Sequence, residues 1–329
     1  MLRILHDTSF DFIRWWKWAF GITVAFLALG LGSLWIEPAL YSIEFTGGTL
    51  MQVEFASPAD AGRIRSTLES AGIPGAEIQQ FGSNREYTIR AQDASHVEAQ
   101  LGGAETVALR IEAVLKEQFG ADQLTIVRTE AVGPRVGAEL RRGAIIAILI
   151  SFAITLVYLS IRFEWRFAAA AIIATSHDII GTVAFIALMN LEISLTIVAG
   201  LLTVLGYSLN DTIIIFDRVR ENLRKGRKET LYETLNRSIN ETLPRSILTH
   251  ATALASTLAL LIFAGDVLRP FAWVMTFGIV AGAFSSIYVA APVLLWIERK
   301  WPRKAGTRQS SSTATPTSRT RPSPATATR

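Results

Sequence analysis

The stretch LTIVAGLLTVLGYSLNDTIIIFDRVREN, residues 195–222, decides the fold. It opens as an apolar helix long enough to cross a bilayer, places Asn210 and Asp211 inside that run, and closes in a burst of charge. A carboxylate at membrane depth costs a few kcal/mol on insertion scales, so such residues are usually retained for ion or proton pathways. Helical periodicity sets Tyr207 and Asp211 on one side, with Gly200, Thr203, Gly206 and Asn210 close to it. The opposite side is Leu, Ile and Val. The polar, small-residue side is expected to face neighbouring helices rather than lipid.

Composition agrees with an integral membrane protein. Of 329 residues, 50% are hydrophobic, and apolar runs of about 20 residues, the length that spans a bilayer, recur along the chain. The formal net charge of +4 is modest and sits in particular segments, so it speaks to topology and not to nucleic acid. There is no cysteine, which excludes disulfides and thiolate chemistry. No GxxxxGK(S/T) phosphate loop, no nucleophile–base–acid spacing and no metal-ligand cluster stands in the sequence. The chain is therefore read as no enzyme, with no cofactor and no metal.

Outward from the central stretch, the chain reads as a polytopic α-helical protein with six transmembrane helices. Residues 1–17 are short and basic (Arg3, Arg14, Lys17), and 18–36 form an uncleaved first helix flanked by Trp15, Trp16 and Trp18 as an interfacial belt. Residues 37–139 carry no spanning run. Their pattern is strand 49–55, helix 58–71, strand 76–81, strand 86–90, helix 104–119, strand 123–129, the βαββαβ order of a ferredoxin-like domain. Ser57 then Pro58 reads as a helix start. Residues 42–45 are expected to add a strand, joined to the next by Gly47 and Gly48 as a hairpin turn. Further crossings are expected at 140–160, 167–188, 194–216, 245–264 and 271–297. Residues 217–244 form a basic loop, in which Leu231, Leu235 and Ile239 suggest a short amphipathic helix lying on the membrane surface. The Ser/Thr/Pro/Arg-rich tail, 303–329, is expected to be disordered. Basic residues then fall on one side if six helices alternate, which makes both termini cytoplasmic and the 37–139 domain extracytoplasmic.

Asp211 is the first candidate for chemistry, with Asn210 beside it. Asp217 lies about 9 Å nearer the cytoplasm and reads as a wet helix-end acid paired with neighbouring arginines. Arg245 opens the fifth run just after Pro244. Two readings of it stand evenly: an arm reaching Asp211 from an antiparallel neighbour, or an anchor snorkelling to headgroups. Thr249 and Thr252 lie further in and continue a polar path toward Asn210. His177 and Asp178, in the third run, are either part of the same buried network or a local hydrogen-bonded pair. Gly278, Gly282, Ser286 and Ala290 recur every fourth residue, a seam for close helix packing joined by Gly200 and Gly206.

At this point four separated segments resemble one family. GYSLNDTIIIFDRVREN (206–222), FTGGT (45–49), SINETLPRSILT (238–249) and FGIVAGAFSSIYVAAP (277–292) are similar to the signatures of the SecF family, the smaller membrane subunits of bacterial SecDF export factors. That family belongs to the resistance-nodulation-division superfamily, and the resemblance covers residues 15–301. It implies residence in the bacterial inner membrane and a heterodimer with a SecD-like subunit that supplies six more helices by pseudo-two-fold symmetry. It also implies work with the SecYEG channel on translocating unfolded polypeptide, with YajC as a further partner, and use of the proton-motive force. Asp211 and Arg245 fall on the family's residues for proton passage. Some relatives use sodium, so the coupling ion stays open. Two rivals are a stand-alone proton-driven exporter of small molecules or lipids, and a passive scaffold whose buried charges only fix helix pairing.

Overall fold

Six helices among the described residues of the computed structural model are long and apolar enough to cross a membrane. The structure describes residues 8–80, 83–91, 104–225, 228–265 and 267–302; the expected disordered tail, Arg3 and Arg227 lie outside the described residues. After α1 (Trp16–Ile36) the chain leaves the bundle for a smaller domain. This contains the single turn α2 (Ile43–Thr46), β1 (Gly48–Phe55), α3 (Ala61–Ser70), β2 (Glu77–Gln80), β3 (Glu86–Ala91), α4 (Ala104–Phe119) and β4 (Leu124–Val132). The chain returns through α5 (Pro134–Arg162), α6 (Trp165–Leu188), α7 (Leu195–Arg224), α8 (Leu231–Phe263) and α9 (Arg269–Ser285). A π turn (Ser286–Ala290) then runs into α10 (Ala291–Lys300), and these last three pieces make one crossing.

The smaller domain is a four-stranded sheet in the order β2-β3-β1-β4, with each neighbouring pair antiparallel. Alternation along β1 and β3 buries one face, where Met51, Val53 and Ile89 meet Ile64 and Leu68 of α3 and Ile111 and Leu115 of α4. α3 does not start at Ser57–Pro58. Its cap is Asp60, whose carboxylate accepts from the N–H groups of Gly62 and Arg63. A carboxylate beside the positive end of a helix outcompetes a hydroxyl three residues earlier.

Residues 42–45 are likewise not a strand. Ser42 caps the turn α2 by accepting from Glu44 N–H. The Gly47–Gly48 pair is a helix-to-strand junction rather than a hairpin turn, with φ of +77° and +119°. Gly47 is also pressed against the entry to α5: a Cβ there would stand 2.8 Å from the Pro134 Cα. The same segment is strapped to the loop before α7. Ser42 N–H donates to Ile193 O at 2.9 Å and Ile193 N–H to Leu40 O at 2.8 Å. Glu44 accepts from Leu195 N–H, at the first residue of α7, at 2.7 Å, and Arg90 of β3 pairs with Glu192.

The expected surface helix in the basic loop is absent as a separate element. Residues 217–224 remain in α7, and α8 begins at Leu231, with Pro244 inside it. Its start is a capping box in which Thr230 and Glu233 satisfy each other's backbone N–H groups. Leu235 and Ile239 do not lie on lipid; they pack in the main core with Phe167, Phe216 and Leu294. The outer side of this segment clamps the N-terminal residues: Asn240 exchanges hydrogen bonds with the Phe10 backbone at 2.9 and 2.8 Å, and Asn236 accepts from Ile13 N–H at 3.1 Å.

Candidate functional site: two buried carboxylates

α7 stands between two carboxylates kept from solvent, Asp178 on α6 at 1% exposure and Asp211 on α7 itself at 4%. Asp178 is held from three sides. Ser208 of α7 donates to Oδ2, Ser285 of α9 donates to the same oxygen at 2.6 Å, and His177 Nδ1 lies 3.0 Å from Oδ1. Glycines permit this convergence. A Cβ on Gly282 would meet the Ser208 Cβ at 3.0 Å, one on Gly278 would meet Val204 Cγ2 at 2.2 Å, and one on Gly200 would meet Val274 Cγ1 at 3.0 Å. α9 therefore lies close enough to α7 for serines on both to share a carboxylate. The contact continues in the hydrogen bond of Thr212 and Ser286 hydroxyls at 2.9 Å, where the π turn begins. π turns recur at functional sites because they re-aim the side chains beyond them. On its other side, His177 borders an apolar groove of about 460 Å³ between α1, α6 and α10.

Asp211 is coordinated more sparingly. Ser246 of α8 donates to its Oδ1. One turn along α8, His250 lies within electrostatic reach of the carboxylate, and its Nδ1 stands 2.6 Å from the Ser246 carbonyl. Tyr207, one turn before Asp211, presents its ring edge-on to His250 with centroids 5.6 Å apart, while its hydroxyl donates to Thr249 O at 3.1 Å.

Arg245 does not reach Asp211 in this conformation. Its side chain is exposed and makes no ion pair among the described residues. Successive helical residues point about 100° apart, so with Ser246 turned inward its predecessor points out of the bundle. Asn210, Thr203 and Gly206 are also exposed, on the outer side of α7, and Gly206 has nothing within 4 Å of a would-be Cβ. Gly206 thus takes no part in the packing seam expected of it within this chain. The Thr249 and Thr252 hydroxyls bond carbonyls of their own helix. Asp217 pairs with Arg162 at 2.9 Å and Arg220 at 3.4 Å. The two buried acids are thus separate clusters that share α7, rather than one network.

Four partners escaped sequence reasoning: Ser208, Ser285, Ser246 and His250. The serines leave no signal, because most helical serines bond their own backbone. His250 was detectable by the rule that singles out Asp211, as an ionisable group inside an apolar run.

A bundle of six spanning helices with ionisable groups buried at its helix contacts defines a multi-pass membrane protein. Residues 111–300 match the family model described as protein export membrane protein SecD/SecF, C-terminal. The chain is 61% identical to the protein translocase subunit SecF of Gemmatimonas aurantiaca over 305 residues, covering 92% of this chain and 91% of that one. It is 40% identical to the Vibrio alginolyticus SecF over 90% of this chain and 92% of that one. Among solved structures it is similar to SecDF from Thermus thermophilus, a translocon-associated membrane protein, with a TM-score of 0.79 and 34% identity over 91% of this chain. The chain therefore belongs to the SecF family of protein translocase subunits. It spans 40% of the length of that SecDF chain.

Proposed function

We propose that the chain is the SecF half of a two-part complex in the bacterial inner membrane that uses the proton-motive force to assist export through SecYEG, with Asp211 as the proton carrier. The carrying observation is a carboxylate buried at membrane depth with a single hydroxyl donor, while an uncommitted arginine, Arg245, stands on the adjoining helix. The other half is a SecD-like subunit. Thr203, Gly206 and Asn210 on α7, with Arg245, Thr249 and Thr252 on α8, are exposed at the surface of this chain. Such a face suits helix packing and is ill suited to lipid. YajC and the unfolded exported chain complete the proposed set of partners. By the positive-inside rule both termini are cytoplasmic and the sheet domain faces outward. Its element order and the strand order β2-β3-β1-β4 support a ferredoxin-like assignment.

A carboxylate paired with a guanidinium favours release of its proton, and one separated from it in a dry site favours uptake. Alternation of Arg245 between an inward and an outward position would give Asp211 both states. A proton crossing 100 mV supplies about 2.3 kcal/mol, and reversing a two-state balance takes about 5.5 kcal/mol. One proton biases the change; two or more per cycle, or bound cargo, complete it. The test is Asp211→Asn in vesicles holding the whole complex. The variant is expected to assemble and to lose proton-dependent stimulation of export. Normal stimulation would refute the relay and leave the passive scaffold.

A further inference from the structure

We infer that His250 is the proton-exchange partner of Asp211 while Arg245 is turned outward. This inference rests on the relay proposed above and adds to it a residue on α8. His250 is 8% exposed and sits in the apolar part of that helix. Its Nδ1 lies 2.6 Å from the Ser246 carbonyl oxygen. A carbonyl only accepts, so Nδ1 carries the hydrogen and the neutral ring keeps its lone pair on Nε2. That nitrogen is buried without a hydrogen-bond partner among the described residues. An unpartnered buried polar atom is costly, and a base poised for a proton gives this one a use.

Ser246 ties the two groups together. Its hydroxyl donates to Asp211 and its carbonyl fixes the ring of His250. The other titratable groups around the ring are accounted for. α7 presents Asp211 and Tyr207, and the Tyr207 hydroxyl is engaged with Thr249 O. α9 carries no titratable side chain between Arg269 and Tyr288. On α8, Arg245 is exposed and Glu241 is bound to Arg218 and Asn222. Asp178 lies across α7 with its own three donors. Asp211 is thus the acid on which the imidazole acts.

The step balances without any other reagent. The Asp211 O–H bond breaks and an Nε2–H bond forms, directly or through one bridging water, converting two neutral groups into a carboxylate and an imidazolium. The imidazolium then does for Asp211 what a guanidinium does in the paired arrangement: it holds the carboxylate ionised until the proton leaves.

Proton flux against pH, measured in vesicles holding this chain with its SecD-like partner, tests the inference on wild type, His250→Asn and Asp211→Asn. Asparagine sets an amide N–H near the place of Nδ1–H, so the bond to Ser246 survives while the base is lost. In His250→Asn the pH of half-maximal flux is expected to rise by about 1 unit, the effect of removing a neighbouring cation. Wild-type behaviour of His250→Asn beside a silent Asp211→Asn overturns the inference and leaves the relay standing. Wild-type flux in Asp211→Asn overturns the relay and the inference with it. If His250→Asn does not assemble, ¹⁵N NMR of His250 in wild type and Asp211→Asn decides. Coupling is reciprocal, so the ring's titration midpoint must move between the two, and an unchanged midpoint overturns the proposal.

Discussion

Asp178 and Asp211 are equally hidden and differently held. Asp178 receives donors from its own helix, from α7 and from α9, all inside the packed bundle. Asp211 receives one hydroxyl from α8 and lies beside an outer face lined by Asn210 and Arg245. In the first arrangement, losing the Ser208 or Ser285 bond disturbs the contact of α7 with α9, and only His177 borders a groove. The second has one donor and two exposed polar neighbours. Intramembrane charge alone therefore does not separate structure from function. Under the proposed relay, the number and origin of the hydrogen-bond donors would separate them.

The sharpest way to break this contrast is Asp178→Ala. It leaves the Ser208 hydroxyl without its acceptor and Ser285 with only its 3.2 Å bond to Gly282 O, and should cost about 2 to 3 kcal/mol in the unfolding of the purified chain in detergent. Asp211→Asn in the same assay should cost under about 1 kcal/mol, since an amide oxygen still accepts from Ser246. Equal losses would erase the distinction. Next in size is Gly278→Val, which drives a side chain into Val204 and should cost about 2 kcal/mol by forcing α7 and α9 apart. Ser246→Ala removes the Asp211 donor for about 1 kcal/mol and should alter the pH profile of proton flux more than it alters stability. The smallest stability effect belongs to Arg245→Ala, within about 0.5 kcal/mol because the side chain is exposed. Flux through the assembled complex should nevertheless fall at least tenfold. An Arg245→Ala complex with normal flux would remove the arginine from the relay.

Much of the membrane part was legible in the sequence, because apolar runs and intramembrane charges are local signals. The limits of α8 were not. Pro244 reads as a boundary, and the four-residue period of Leu231, Leu235 and Ile239 reads as a surface helix. Core packing against Phe167 and Phe216 carries the helix through the proline instead. The Thr230–Glu233 box was the visible local sign of the true start. In the smaller domain, hydrophobic alternation marked the strands, whereas Asp60 and Ser42 as caps depended on which of several polar residues wins the helix end. The partners of the buried acids come from other helices, and spacing along one helix carries no record of them.

One junction gives this contrast a mechanical side. The first residue of α7 is gripped by Glu44, and the loop before it by Leu40 and Ser42, next to the glycines that launch β1. Asp211 lies about 24 Å further along the same rigid rod, at 1.5 Å per residue. A piston stroke of α7 therefore has no slack linker in which to dissipate. Under the proposed relay it would arrive at the root of the sheet, joining the loading of one carboxyl group to the posture of the domain that the strap holds.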